Sequence, residues 1–300
     1  MKKIKKMKKA ISLTIITTII TTVFMWGVVL GEKKTIGLVV PTLSDPFFVA
    51  LKEGAAAEAK KEDIDLVVFD SENDSVRERA NILELIDKKV DVILIDPSDS
   101  DEVTEAIHIA NDKKIPIITL NRPAMKGEVV THIASDDFVG GMLVGSLVKK
   151  LLNSSGNIAE LEGMPKTTAT HNRGKGFHQI IDKTDIKVVA REAADFDRGK
   201  GRAVMENILR THDDIAAVFA HNDEMALGAV SAIEAAKRDI AVIGFDAIDE
   251  AVVAVKDKKL YATISEQPAE IGKLGVIFAS HHLQQKNFSK NIPAPFKIIR

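Results

Sequence analysis

The sequence has no cysteine among its 300 residues, and this absence excludes disulfide bonds. The motifs of nucleotide binding and acyl transfer are also absent. No G-x-G-x-x-G follows the first predicted strand, and the chain has no G-x-x-x-x-G-K-[ST] and no G-x-S-x-G. The pair His281–His282 has no partner at the spacing of a metal site, so we interpret it as solvated surface. We therefore expect no catalytic residue, no metal and no cofactor, and the case for an enzyme is weak.

The N-terminus has the form of an export signal. Residues 1–10, MKKIKKMKKA, carry six lysines and no acidic residue, and an uncharged apolar run extends from Ala10 to Leu30. We predict that residues 1–31 are a cleaved signal peptide; an uncleaved single-span anchor is the alternative, because the run is longer than a usual signal core. Without those six lysines the 41 basic residues fall to 35, against 43 acidic ones. This acidic balance argues against a nucleic-acid partner and fits a soluble periplasmic protein.

Short β-branched runs alternate with amphipathic stretches after Glu32. The strands that we predict cover residues 35–40, 66–70, 92–96, 117–121, 157–163, 186–192, 216–222 and 240–246, with a weaker strand at 262–267 and a closing segment PFKIIR. This alternation is typical of βαβ units and a parallel sheet. Because the strands are too many for one small sheet, we predict an α/β fold with two doubly wound lobes.

Polar side chains end many of these predicted strands: Asp70, Asp96, Asn121, Asn222 and Asp246. In open α/β sheets, ligands bind beyond the carboxyl ends of the strands, so two facing lobes would bring several of these groups to one cleft. The alternative at each single position is a cap for the following helix. With five such positions, and aromatic residues beside them, we favour a binding site.

The aromatic residues beside these polar positions lie in the segments SDPFF, ADFDR and GFD: Phe47, Phe48, Phe196 and Phe245. Sugar hydroxyls are both donors and acceptors, so they suit Asp, Asn and Arg side chains that make paired hydrogen bonds. The C–H face of a sugar ring is apolar and packs on aromatic rings. We therefore predict that Phe47 and Phe48 line a cleft for a polyhydroxylated small molecule, with Asp45 beside them for a hydroxyl; the alternative places them in the core under a turn.

Motifs along the chain resemble those of the ribose-binding proteins of bacterial ABC importers. They are, in order, TIGLVVPTLSDPFFVALKEG, IDPSDSDEV, IPIITLNR, KGEVVTHIASDD, RGKGF, ADFDRGKG, AVFAHNDEMALGA and GFD, within a likeness that runs from about Lys34 to the C-terminus. The resemblance implies the type 1 periplasmic binding protein fold, with two Rossmann-like lobes and parallel sheets joined by three hinge strands near Ser135, Glu266 and Pro295. The lobes that it implies are residues 33–135 plus 267–295 and residues 136–266 plus 296–300.

The resemblance also implies a set of ligand-binding residues. Aromatic rings would cover both sides of a sugar ring, two arginines would donate to its oxygens, and strand-end groups would complete the hydroxyl contacts. These residues are Asp45, Phe47, Phe48, Asp96, Asn121, Arg122, Arg173, Phe196, Asn222, Phe245, Asp246 and Glu266.

Four of these positions depart from the pattern of the ribose binders. Asp45 and Asp96 stand where that pattern has Asn, Asn121 stands where it has Asp, and Glu266 stands where it has Gln. The formal charge of the site changes from zero to −2, and the hydrogen-bond polarity changes with it. Ribose is the leading ligand, and another pentose, a hexose such as allose or an amino sugar is the alternative. The implied partners are an inner-membrane permease and a chemoreceptor, for a monomer; a regulator of the LacI type is a distant alternative.

Overall fold

Strands and helices alternate along residues 33–300, the part of the chain that the computed structural model describes. The strands are β1 (Thr35–Val40), β2 (Asp65–Asp70), β3 (Val92–Ile95), β4 (Ile117–Leu120), β5 (Thr131–Ala134), β6 (Ser155–Glu162), β7 (Asp185–Ala193), β8 (Ile215–Ala220), β9 (Ala241–Asp246), β10 (Ala262–Ser265), β11 (Asn291–Pro293) and β12 (Lys297–Ile299). The helices are α1 (Pro46–Lys61), α2 (Ser75–Asp87), α3 (Val103–Asp112), α4 (Asp137–Leu151), α5 (Thr168–Ile181), α6 (Arg198–Thr211), α7 (Asp223–Ala235), α8 (Asp249–Lys256) and α9 (Pro268–Leu283). The predicted signal peptide or anchor, residues 1–31, lies outside the described residues. Between residues 33 and 300 no helix is long and apolar enough to cross a membrane.

The strands form two six-stranded sheets with the same order. The first sheet runs β2-β1-β3-β4-β5-β11 and the second runs β7-β6-β8-β9-β10-β12. All neighbouring strands are parallel except β10 and β12. Strands such as β3 (VILI) and β4 (IITL) are buried throughout, because helices cover both faces of a parallel sheet. Each sheet with its helices is a lobe, and in each the strand order reverses beside its first strand, where ligands bind.

The chain passes from one sheet to the other three times. The crossings follow β5, follow β10, and lie between β11 and β12. They are hydrogen-bonded to one another: Ser135 Oγ donates to Glu266 O at 3.4 Å, and Gln267 Nε2 donates to Pro295 O at 3.1 Å. The two lobes are therefore connected by three neighbouring segments of backbone.

Helices α1 and α9 pack closely through two glycines. A Cβ at Gly54 would lie 1.9 Å from the carbonyl oxygen of Ala269, and a Cβ at Gly272 would lie 1.9 Å from that of Leu51. Only glycine permits this approach of the two backbones. Because α9 begins directly after a crossing, the contact holds α1 close to that crossing.

The predicted strands are present, with ends that differ by one or two residues, and two further strands were not predicted. Strand β5 has four residues and β11 has three, one of them Pro293, so neither shows a clear period in the sequence. Of the five polar residues predicted to end strands, three lie after the strand instead: Asp96 after β3, Asn121 after β4 and Asn222 after β8. These side chains are therefore in the loops at the carboxyl edge.

Candidate functional site

A narrow cavity lies between the carboxyl edges of the two sheets. Its side chains nearly fill it, and only about 20 Å³ can hold a water-sized sphere. Nine of the twelve predicted site residues line it, together with Ala169, a small apolar residue that no sequence signal distinguishes. The lining residues are Asp45, Phe47, Phe48, Asn121, Arg122, Ala169, Arg173, Phe196, Asn222 and Asp246.

The start of α1 forms one wall of the cavity. Asp45 caps the helix, because its Oδ1 accepts a hydrogen bond from the Phe47 backbone N–H at 2.9 Å, and Pro46 occupies the first helical position. The rings of Phe47 and Phe48 meet edge to face with their centroids 5.1 Å apart and are 3% and 4% exposed. Both rings belong to the apolar core of the first lobe and also face the cavity. Phe47 and Phe48 therefore lie in the core of the first lobe and at the cavity wall at the same time.

Arg122, which follows β4, lies between aromatic rings from both lobes. Its guanidinium carbon is 5.4 Å from the ring centroid of Phe48 and 5.4 Å from that of Phe196, a geometry suited to cation–π attraction. Its NH1 donates to Pro97 O at 3.2 Å, and its Nε has no partner within the protein. The nearest carboxylate oxygen, Oδ1 of Asp96, is 4.0 Å from that Nε. Arg122 therefore retains donors for a ligand.

Arg173 on α5 is held by acidic side chains from three directions. Its Nε donates to Asp137 at 2.7 Å, its NH2 donates to Glu266 at 2.7 Å, and its NH1 lies 3.4 Å from Asp246. The NH1 also donates to the backbone oxygen of His221 at 2.6 Å, and the guanidinium carbon stacks 3.9 Å from the centroid of Phe245. Burial alone would lower the pKa of Arg173, but the neighbouring carboxylates outweigh it and raise the pKa.

Burial raises the pKa of the acidic residues around the cavity. The pKa of Asp45 rises to about 6 and that of Asp96 to about 7, in each case because burial disfavours the charged form. Burial also raises the pKa of Asp246 and of Glu266, and Arg173 opposes the shift. At Asp246 and Glu266 burial outweighs the attraction of the Arg173 guanidinium, so both groups bind a proton more readily than exposed carboxyl groups do.

Three predicted site residues lie behind the wall of the cavity rather than on it. Asp96 is fully buried and neither of its oxygens has a hydrogen-bond partner within the protein. Glu266 and Phe245 are also fully buried and contact Arg173. In this structure these residues contact the arginines and not the cavity: Asp96 lies beside Arg122, and Glu266 and Phe245 lie against Arg173. The strand-end residue Asp70 does not join the site, because its carboxylate accepts hydrogen bonds from the backbone N–H groups at residues 43 and 72.

Three non-glycine residues at the cavity have positive φ. The values are 53° at Asn121, 60° at Phe196 and 111° at Asp246. Such conformations cost about 1–3 kcal/mol each and persist where the surroundings enforce them, often at functional sites. Asn222 is also fixed in place, because its Oδ1 accepts from Met225 N as the cap of α7 while its Nδ2 donates to Phe196 O. The backbone at this edge therefore serves to aim side chains into the cavity.

Sequence reasoning missed Asp137, which forms an ion pair with Arg173. It lies in the motif KGEVVTHIASDD, but its partner is 36 residues away, so only the packing of α4 against α5 reveals the contact. His221 was given no role, and it supplies a backbone acceptor to the same arginine. No group of three or more His, Cys, Asp and Glu side chains within residues 33–300 has the arrangement of a metal site.

Comparison with known proteins identifies the family of this fold and cavity. A model of the periplasmic binding protein domain matches residues 36–287. The ribose import binding protein RbsB of Bacillus subtilis is 46% identical over 270 residues, covering 89% of this chain and 88% of that protein. RbsB of Escherichia coli strain K12 is 46% identical over 268 residues, covering 89% and 90%.

Solved structures agree with this assignment. An ABC transporter solute-binding protein of Bacillus halodurans with bound myo-inositol has a TM-score of 0.84 at 32% identity, covering 89% of this chain and 94% of that one. A periplasmic solute-binding protein of Actinobacillus succinogenes with bound D-allose has a TM-score of 0.85 at 29% identity, covering 89% and 97%. The chain therefore belongs to the periplasmic binding protein family, in the branch that contains the ribose import binding proteins.

Proposed function

We propose that this protein binds a monosaccharide, D-ribose before others, in the cavity between its lobes and delivers it to an ABC permease in the membrane. The observation that carries the proposal is one small cavity with aromatic faces, two guanidinium groups and strand-end Asp and Asn side chains. Aromatic rings suit the C–H face of a sugar, and the polar groups supply donors and acceptors for vicinal hydroxyls. The relatives named above for ribose import support the choice of sugar.

The four departures from the ribose-binder pattern favour ribose once their positions are considered. Only Asp45 and Asn121 line the cavity, whereas Asp96 and Glu266 lie behind it. Asp45 has a carboxyl group where the pattern has an amide, and Asn121 has an amide where the pattern has a carboxyl group. The set of donors and acceptors offered to a ligand is therefore retained, although its positions change. D-Allose is the second candidate, because a structure with a TM-score of 0.85 contains it.

The lobes that act in this function are residues 33–135 plus 267–295 and residues 136–266 plus 296–300. Rotation about the three crossing segments opens and closes the cavity, as in other two-lobed binding proteins. Neither an enzyme nor a LacI-type regulator fits as well, because the relatives with 46% identity are named as import binding proteins. The proposed location is periplasmic, after cleavage of residues 1–31.

A sugar panel tests this proposal. The protein without residues 1–31 is titrated with D-ribose, D-allose, L-arabinose, myo-inositol and D-glucosamine, and heat release and thermal unfolding are both recorded. A sugar at 100 times its Kd stabilises the folded state by about 2.7 kcal/mol, which gives a clear rise in Tm. We expect the largest rise with D-ribose. No rise with any sugar would contradict the function, and a larger rise with D-glucosamine would contradict the choice of ligand.

A further inference from the structure

Two loops from different lobes meet at a place outside the sugar cavity. Residues 97–102 follow β3 in the first lobe, and residues 163–167 follow β6 in the second lobe. Lys166 Nζ lies 2.9 Å from Glu102 Oε1 and 3.6 Å from Asp99 Oδ2. Beside this ion pair, Ser100 Oγ and Thr168 Oγ1 are 3.5 Å apart. None of these residues lines the sugar cavity.

Hydrogen bonds within the first lobe hold the two acidic residues of this contact, Asp99 and Glu102, in place. Asp99 Oδ1 accepts hydrogen bonds from the backbone N–H groups of Asp101 and Glu102, so Oδ2 is the oxygen that faces Lys166. Glu102 Oε2 accepts a hydrogen bond from the Ser75 hydroxyl, which leaves Oε1 for the lysine. The hydrogen bond and charge of Glu102 raise the pKa of Lys166, and hydrogen bonds from Ser75 and Lys166 lower the pKa of Glu102. The two carboxylates thus point at the other lobe.

The position of the pair couples it to closure of the cavity. Thr168 is the first residue of α5, whose next residue, Ala169, lines the cavity, and Arg173 follows on the same helix. Asp99 lies three residues after Asp96, and the carboxylate of Asp96 is beside Arg122. Rotation of the lobes about the three crossings would separate these loops together with the cavity walls. A contact made only in the closed conformation shifts the population toward that conformation and raises the apparent affinity.

We propose that Lys166, Glu102 and Asp99 form an ionic latch that holds the lobes closed over bound sugar and slows its release. The latch rests on the proposed function, since it acts on the same closure. The side chain of Lys166 is 70% exposed, so the contribution belongs to the range of exposed ion pairs. This range corresponds to about a two- to fivefold change in Kd at low salt.

The experiment compares Lys166→Gln with the matched variant Lys61→Gln. Lys61 is also 70% exposed and contacts a glutamate, Glu58, at 2.7 Å, but both partners lie on α1 in one lobe. D-Ribose affinity and release rate are measured for both variants in about 20 mM and about 500 mM NaCl, which screen charges to different extents. We expect Lys166→Gln to release ribose about two- to fivefold faster at low salt and at the wild-type rate at high salt. Lys61→Gln should match the wild type in both conditions.

A double-mutant cycle assigns the effect to the contact. Because Lys166→Gln and Glu102→Gln remove the same ion pair, the double variant should release ribose more slowly than the product of the two single effects predicts. Additive effects, or a Lys166→Gln variant with the wild-type release rate at low salt, would overturn the latch while ribose binding stands. If the wild type bound neither D-ribose nor D-allose, the proposed function would fall and the latch with it.

Discussion

The two sides of the cavity hold their arginines in opposite ways. On the first-lobe side, Arg122 donates a single hydrogen bond, to Pro97 O at 3.2 Å, and its Nε has no partner within the protein. On the second-lobe side, Arg173 donates three hydrogen bonds of 2.6–2.7 Å to three different acceptors. The second arginine is thus fixed before any ligand arrives, whereas the first has donors to offer.

Buried carboxyl groups show the same contrast. Neither oxygen of Asp96 has a hydrogen-bond partner within the protein, and burial raises its pKa to about 7. The oxygens of Glu160 lie 3.0 Å from His221 Nε2, 2.9 Å from His178 Nε2 and 3.3 Å from Arg191 Nε. Burial would raise the pKa of Glu160 as well, but hydrogen bonds from the two histidines outweigh it, and the pKa falls to about 2. Glu160 in the second lobe is therefore paired through both oxygens, whereas Asp96 in the first lobe keeps free acceptors beside Arg122.

Replacement of Arg173 should have the largest effect. Arg173→Met leaves the carboxyl groups of Asp137, Asp246 and Glu266 without their cation in a buried site. Removing one partner of a buried ion pair costs about 3–5 kcal/mol, so we expect a loss of that size in the free energy of unfolding and no measurable sugar binding. Urea denaturation and calorimetric titration measure the two quantities. Arg202→Met, which removes an exposed pair with Glu206, is the control and should change neither. If Arg173→Met were as stable as the wild type, the ion pairs of Arg173 would not stabilise the second-lobe side of the cavity, and the contrast with Arg122 would be wrong.

Replacement of Arg122 should affect binding more than stability. Arg122→Ala removes donors that a closed cavity cannot replace with water, and each unpaired buried group costs about 1–3 kcal/mol. We expect sugar affinity to fall by at least about tenfold, equivalent to about 1.4 kcal/mol, while the free energy of unfolding changes by less than about 1 kcal/mol. The same titration and denaturation measurements apply. A variant that lost as much stability as Arg173→Met would show that the two arginines are held alike.

The burial of Asp96 predicts a dependence of stability on pH. Its pKa is about 7 in the folded state and 3.8 as the ordinary value, so between these pH values the folded state holds a proton that the unfolded state has lost. The free energy of unfolding therefore falls as pH rises from about 4 to about 7. Urea denaturation at pH 5 and pH 8 samples about two pH units of this range, so Asp96→Asn should reduce the fall measured between them by about 3 kcal/mol.

Other groups near Asp96 remain in that variant and set the residual slope. Burial raises the pKa of Glu78 to about 7 and that of Asp45 to about 6, so both contribute in the same direction. We therefore expect a smaller slope for Asp96→Asn, not a flat profile. Equal slopes in the variant and the wild type would indicate that Asp96 is ionised in the folded protein and that Arg122 neutralises it.

Restoring the ribose-binder pattern should have the smallest effect. The change combines Asp45→Asn, Asp96→Asn, Asn121→Asp and Glu266→Gln, of which only the first and third alter the cavity wall. Because those two exchange an amide and a carboxyl group, we expect D-ribose affinity to change by less than tenfold. Titration of both proteins with D-ribose measures it. Strong ribose binding that appeared only in the changed protein would show that the wild type is tuned to another sugar.

The sequence predicted which polar residues lie near the strand ends, but not which of them reach the cavity. Asn121, Arg122 and Asn222 line it, and each follows a buried apolar strand that is clear in the sequence. Asp96 occupies a similar position after β3 and points behind the wall, because side-chain direction depends on the loop conformation that follows. Contacts across long separations, such as Glu160 with His221, require the packing of neighbouring strands and leave no pattern in the sequence.

The last two strands of the fold have a consequence for how it assembles. Strands β11 and β12 lie within residues 291–299, yet each forms one edge of a different sheet. During synthesis from the N-terminus, both β5 and β10 therefore keep an unpaired edge until residues 291–299 are made. Neither sheet is complete before these residues join it, and a short deletion there would remove an edge strand from both sheets at once.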